Sequence, residues 1–100
     1  NNIENAMAEM HDFDATIGAV LDWAEADGNT LVVVSADHET GGLSLLGGNL
    51  EKGEIEVNFS VGDHTNMQVP VYAFGPGAEN FHGTKENCEW SQLIRSFIEK

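Results

Sequence analysis

The run Leu31-Val32-Val33-Val34 constrains this chain more than any other feature. It is continuous and β-branched rather than alternating, the pattern of a strand buried on both faces of a parallel sheet. What precedes it completes half of an α/β unit. From Ile3 to about Ala26, apolar side chains at Ile3, Met7, Met10, Ile17, Val20, Leu21 and Ala24 recur at helical spacing and keep one face in register. Acids such as Glu4, Glu9, Asp22 and Glu25 fall largely on the other side, and Asp27-Gly28-Asn29 supplies the glycine that commonly closes a helix.

A glycine-rich passage follows the strand, with Gly41-Gly42, Gly47-Gly48, Gly53 and Gly62 around an edge strand expected from Ile55 to Phe59. Val69 to Phe74 is a second apolar run. Pro70 stands near its start, where a missing donor is tolerated, and Gly75-Pro76-Gly77 stops it. A last helix is expected from Asn87 to Ile98, with Trp90, Leu93, Ile94, Phe97 and Ile98 on one side and Asn87 or Thr84 as its cap. Trp23, Trp90, Tyr72 and the phenylalanines are read as core, and Met7 and Met10 as part of the first helix's buried stripe.

Composition narrows the function. Asp and Glu number 17 against 4 Lys and Arg, a formal charge of −13. Nucleic acid is not an expected partner, because backbone phosphates are bound by clustered cations. No apolar run approaches the ~18 residues of a membrane span, and 100 residues suffice for one small domain. The lone Cys88 gives no disulfide framework. The chain opens Asn1-Asn2-Ile3-Glu4, with neither a signal-peptide pattern nor an initiator Met, as expected for a processed chain or a piece of a longer one.

The candidate chemistry lies at Asp37 and His38, at the carboxyl end of the buried strand, which is the edge where α/β sheets bind ligands. A carboxylate and an imidazole are good ligands for Zn²⁺, and they converge on one ion only where the chain leaves extended geometry. Thr40-Gly41-Gly42 permits such a bend. The competing reading makes Asp37 a turn cap and His38 a satisfied loop histidine. His64, in Gly62-Asp63-His64-Thr65, is a further candidate if its loop folds back over the same edge, and otherwise a surface histidine; Asp63 orients it or is solvated. His11 and His82 are assigned to no site. No catalytic nucleophile is visible: Ser35 is inside the strand, Ser44, Ser60 and Ser91 lack a nucleophile-elbow context, and the acidic neighbours of Cys88 disfavour a thiolate.

The segment Thr30-Leu31-Val32-Val33-Val34-Ser35-Ala36-Asp37-His38-Glu39-Thr40-Gly41-Gly42 closely resembles the strand and metal loop of alkaline phosphatases. His64-Thr65, then Val69 to Ala78, then the Phe81 to Gly83 loop follow in that family's order, and Phe13-Asp14-Ala15 with Leu21-Asp22-Trp23-Ala24 looks like the segment before the strand. The resemblance spans almost the whole chain. It implies that residues 1–100 are the C-terminal portion of an alkaline phosphatase domain, an α/β fold with a mostly parallel sheet flanked by helices. It further implies that Asp37 and His38 bind one zinc of a two-zinc site and His64 the other. The remaining zinc ligands, the nucleophilic serine, a phosphate-clamping arginine and the ligands of a Mg²⁺ are expected outside this chain.

The implied reaction is hydrolysis of phosphate monoesters through a phosphoserine, with the two zinc ions clamping an in-line displacement. Bound divalent ions also reconcile an acidic chain with an anionic substrate, since they reverse the local field. A homodimer and a periplasmic or secreted location are implied by the family alone. Two alternatives stand beside this reading. One is another hydrolase of the same superfamily, such as a phosphodiesterase, sulfatase or phosphomutase. The other is a metal-binding or interaction fragment without enzymatic activity. The 100 residues alone are expected to be inactive.

Overall fold

The long acidic segment at the start of the chain forms one helix because nothing interrupts its spacing until Gly28. In the computed structural model, which describes residues 2–99, α1 spans Ile3–Asp27. Asn2 caps its start by accepting from the Asn5 N–H at 3.1 Å, and the Gly28 N–H closes its end on the Ala24 carbonyl at 2.9 Å. The chain then enters β1 (Val32–Ser35) and a bend at Asp37. Next come a short β2 (Glu39–Thr40), β3 (Leu43–Asn49), β4 (Glu54–Phe59), a short β5 (His64–Thr65) and β6 (Val71–Phe74). A 3-10 turn at Ala78–Asn80 and α2 (Asn87–Ile98) finish the chain.

Both helices, β1, β4 and β6 fall where the periodicity puts them. The start of α2 differs in detail. Its N-cap is Glu86, whose backbone N–H donates to the Glu89 carboxylate at 3.3 Å. This reciprocal pairing outcompetes Asn87 and Thr84, the residues expected to cap it.

Among the described residues all strand pairing is antiparallel, in three two-stranded ladders: β1 with β6, β2 with β5, and β3 with β4. The α/β class stands, but the ladder that this chain supplies to it is not parallel. A continuous apolar run reports burial on two faces and carries no information about the direction of its neighbour. β1 and β6 pair from Val32 opposite Phe74 to Ser35 opposite Val71. At their far end Gly75, with φ of 105°, brings its Cα so close to the Thr30 carbonyl that a Cβ would collide with it.

The expected core is largely uncovered. Ala24 is the one buried apolar side chain among the described residues, and β1 is half-buried rather than enclosed. Met10 is 65% exposed, Trp23 62% and Tyr72 65%, and Met7, Phe13 and Phe74 are exposed as well, so these six are surface rather than core. Ile17 and Leu21 of α1 approach Val32, Val34, Tyr72 and Phe74 across an open apolar groove of about 290 Å³. The radius of gyration is 16.7 Å, against about 13 Å for a compact chain of this length. The elements are therefore arranged as a wall around open space.

Candidate metal centre

The site begins where β1 ends. After Ser35 the backbone leaves extended geometry, so that Asp37 and His38, which would point apart on a strand, face each other. Asp37 Oδ1 accepts the His38 backbone N–H at 3.1 Å, and Asp37 Oδ2 lies 3.3 Å from His38 Nε2. The Asp37 side chain is 86% exposed and that of His38 34%. The other ring nitrogen, Nδ1, sits 3.2 Å from the Glu39 carbonyl and 3.3 Å from Thr40 Oγ1. The bend thus occurs four residues before Gly41, ahead of the glycines expected to permit it.

Gly41 and Gly42 have a different task. With φ of 79° and 58° they turn β2 into β3, a conformation that side-chain-bearing residues resist. The Gly41 N–H also donates to the Asp63 carbonyl at 2.8 Å, pinning the entry of the excursion that follows to its exit. From there β5 returns alongside β2, with Glu39 opposite Thr65 and Thr40 opposite His64.

This pairing carries the imidazole of His64 onto that of His38. Their ring centroids are 3.5 Å apart and the rings are inclined by 21°. The loop of His64 does fold back over the strand edge, as the sequence reading requires of a ligand. Asp63 Oδ1 accepts the His64 backbone N–H at 2.8 Å, so the role of Asp63 is to shape that loop. All three expected donors, Asp37, His38 and His64, are therefore brought to one corner of the fold. Among the described residues no three His, Cys, Asp or Glu side chains form a group able to hold an ion by themselves. A carboxylate and two imidazoles are the right donor chemistry for zinc.

One participant is absent from the sequence reading. The Glu39 carboxylate accepts from Thr65 Oγ1 at 2.5 Å, from the Gly42 N–H at 3.0 Å and from the Leu43 N–H at 3.2 Å. Donation by Thr65 is the largest cause holding its carboxyl below the ordinary range, with the two backbone N–H groups adding to it and partial burial opposing. A glutamate followed by a Thr-Gly-Gly turn is the local signal for such a bond, since its side chain reaches the N–H groups three and four residues on.

Asp37, His38 and Thr65 open onto a cleft of about 1210 Å³, whose far wall includes His82, Lys85 and Trp90. Phe81 stacks on Trp90 with centroids 5.6 Å apart, and Lys85 Nζ lies 5.1 Å from the Trp90 ring centroid. His11 is exposed on α1, away from the cleft lining.

Comparison with known proteins places this arrangement. The family model for alkaline phosphatase matches residues 1–55. The structure of alkaline phosphatase from the Antarctic bacterium TAB5 superposes with a TM-score of 0.84 and 43% identity, over 96% of this chain and 30% of that one. A variant of the same enzyme, solved with Mg bound in its M3 site, superposes equally well, with a TM-score of 0.84 and 41% identity over the same shares. Alkaline phosphatase 3 of Bacillus subtilis is 27% identical over 94% of this chain and 36% of its own length. Streptomycin-6-phosphate phosphatase of Streptomyces griseus is 32% identical over 81% of this chain and 22% of its own. The chain thus spans about a third or less of the relatives it matches. The family match over its first half, the shared fold along almost its whole length and the Asp-His loop at the end of β1 lead to one conclusion: the chain belongs to the alkaline phosphatase family.

Proposed function

We propose that these residues form one wall of the active site of a metal-dependent phosphatase that hydrolyses phosphate monoesters through a phosphoserine. The observation that carries this reading is the convergence of Asp37, His38 and His64 at the end of β1, with the two imidazoles 3.5 Å apart. Asp37 and His38 would hold one zinc and His64 the other. The remaining ligands, the serine and the ligands of a Mg²⁺ would come from parts of the fold that the longer relatives possess and this chain does not span. Residues 1–100 are then the C-terminal portion of that domain.

When bound, the ions supply Lewis-acid stabilisation of charge on the attacking and leaving oxygens. What this chain contributes is donor placement. The bend at Asp37 turns a carboxylate and an imidazole in the same direction, and the β2–β5 pairing sets a second imidazole against the first. The cations also answer the charge problem, since −13 on the chain repels a phosphate ester until metal reverses the local field. No helix of the described residues is long and apolar enough to cross a membrane. A periplasmic or secreted homodimer is the form in which we place the whole enzyme, and the 100 residues alone are inactive in this reading.

The test is single replacement of Asp37, His38 and His64 by Ala in the intact protein, with zinc content and phosphomonoester hydrolysis measured on each. Loss of both zinc and turnover is expected in every variant. Wild-type zinc content and turnover in all three would overturn the reading.

A further inference from the structure

The geometry of the corner depends on very little backbone. β2 and β5 pair over two residues each, which is short for fixing two side chains against one another. Beside the Gly41 bond to the Asp63 carbonyl, which flanks the pair, the Glu39 side chain links the two strands directly. Its Oε1 accepts from Thr65 Oγ1 on β5 and from the Gly42 N–H in the turn, and its Oε2 from the Leu43 N–H at the start of β3. A carboxylate has about four lone-pair sites. Three are in use here, and Glu39 is half-buried where Asp37 is exposed. Glu39 is therefore turned into the fold, away from the donors beside it.

We propose that Glu39 is a positioning residue of the metal centre, its carboxylate tying Thr65 to the turn at Gly42 and so holding the His64 imidazole against that of His38. The proposal rests on the reading of Asp37, His38 and His64 as zinc ligands. It makes two statements that can be separated by experiment. In metal-free protein, breaking the tie lets the imidazoles part. In metal-loaded protein, it weakens binding without removing a ligand. Groups that only orient metal ligands typically change affinity by about ten- to a hundredfold.

The experiment uses the intact protein with four replacements: Thr65→Val, Thr65→Ser, Glu39→Ala and His64→Ala. Ring stacking is read from the upfield displacement of the histidine ring-proton signals in metal-free protein. Metal binding is read from Co²⁺ titration and the visible absorption of the bound ion. Thr65→Val and Glu39→Ala are expected to lose the ring displacement, to weaken Co²⁺ by about tenfold or more and to alter its absorption. Thr65→Ser, which restores the hydroxyl, is expected to keep all three close to wild type. Should Glu39→Ala not fold, the Thr65→Val and Thr65→Ser pair decides the question alone. Wild-type ring signals and Co²⁺ affinity in Thr65→Val, with binding lost in His64→Ala, would overturn the tie while leaving the metal reading intact. A wild-type protein that takes up no Co²⁺ would instead overturn the metal reading and this proposal together.

Discussion

The β3–β4 hairpin and the β2–β5 pair are both antiparallel, the first nested in the chain between the strands of the second, yet they are held in opposite ways. The hairpin runs from Leu43 opposite Phe59 to Asn49 opposite Glu54, with a bulge between Leu45 and Gly47. Its backbone ladder suffices for it, and every residue of β3 is exposed, Leu45 by 73%. The β2–β5 pair has two rungs and is completed by the Glu39 carboxylate and by the Gly41 bond to Asp63. The long ladder carries none of the candidate metal ligands, and the short one brings two imidazoles together. Donor placement in this chain is thus set where the backbone contributes least and individual side chains contribute most.

The sharpest way to break that contrast is to compare His64→Ala with Leu46→Ser on the hairpin in the intact protein. The first should lower kcat/KM for a phosphomonoester by more than about a hundredfold, beyond the range for groups that merely support ligands. The second should change it by less than about twofold, as for a surface substitution. Equal losses would show that the hairpin is part of the machinery.

Glycine replacement gives a smaller, structural version of the same test. An alanine Cβ at Gly42 would sit 3.2 Å from Ser60 Cβ in a left-handed conformation, whereas at Gly53, in the hairpin turn, it would meet nothing within 4 Å. Gly42→Ala should cost about 2–3 kcal/mol and Gly53→Ala about 1 kcal/mol, read as shifts in urea midpoint.

Acid should also separate the two regions. The Glu39 carboxyl lies below its ordinary value of 4.5 in the folded chain, chiefly because Thr65 donates to it. A group more acidic in the folded state stabilises the fold above its ordinary value, and that contribution is lost as pH falls through the lowered one. Metal-free protein should therefore lose stability below about pH 4.5 more steeply in the wild type than in Glu39→Gln, as followed by melts at successive pH values. The smallest effect is expected at the hairpin tip, where Asn49 Oδ1 accepts the Lys52 N–H at 3.1 Å. Asn49→Ala should cost about 0.5 kcal/mol in the same melts.

Much of this arrangement is legible in the sequence, and the parts that are not share a physical cause. α1 and α2 announce themselves by periodicity, and β1 by its branched run. Asp37 and His38 stand out by their place at the end of that run. β3 is silent because Leu43 to Asn49 is exposed on both faces and contains two glycines, so burial imprints no pattern on it. β2 and β5 are too short to show any period. Glu86 is passed over as the cap of α2 because glutamate rarely fills that role, and the Glu89 partner that makes it effective lies inside the helix. The direction of β6 relative to β1 is set by the route of the chain between them, which local composition does not record.

The excursion from Gly41 to Asp63 leaves and re-enters the fold at one hydrogen-bonded neck, where the Gly41 N–H donates to the Asp63 carbonyl, the Val61 N–H donates to the Gly41 carbonyl and the Glu39 carboxylate accepts from the Gly42 and Leu43 N–H groups. It is in effect a detachable module. Lengthening or shortening what lies beyond that point would change the closure cost by only about 0.6 kcal/mol for each doubling, and would leave the two imidazoles where they are. The hairpin is accordingly the place where members of such a lineage can differ most in length without disturbing the donors, and where an inserted reporter or binding element would be best accommodated.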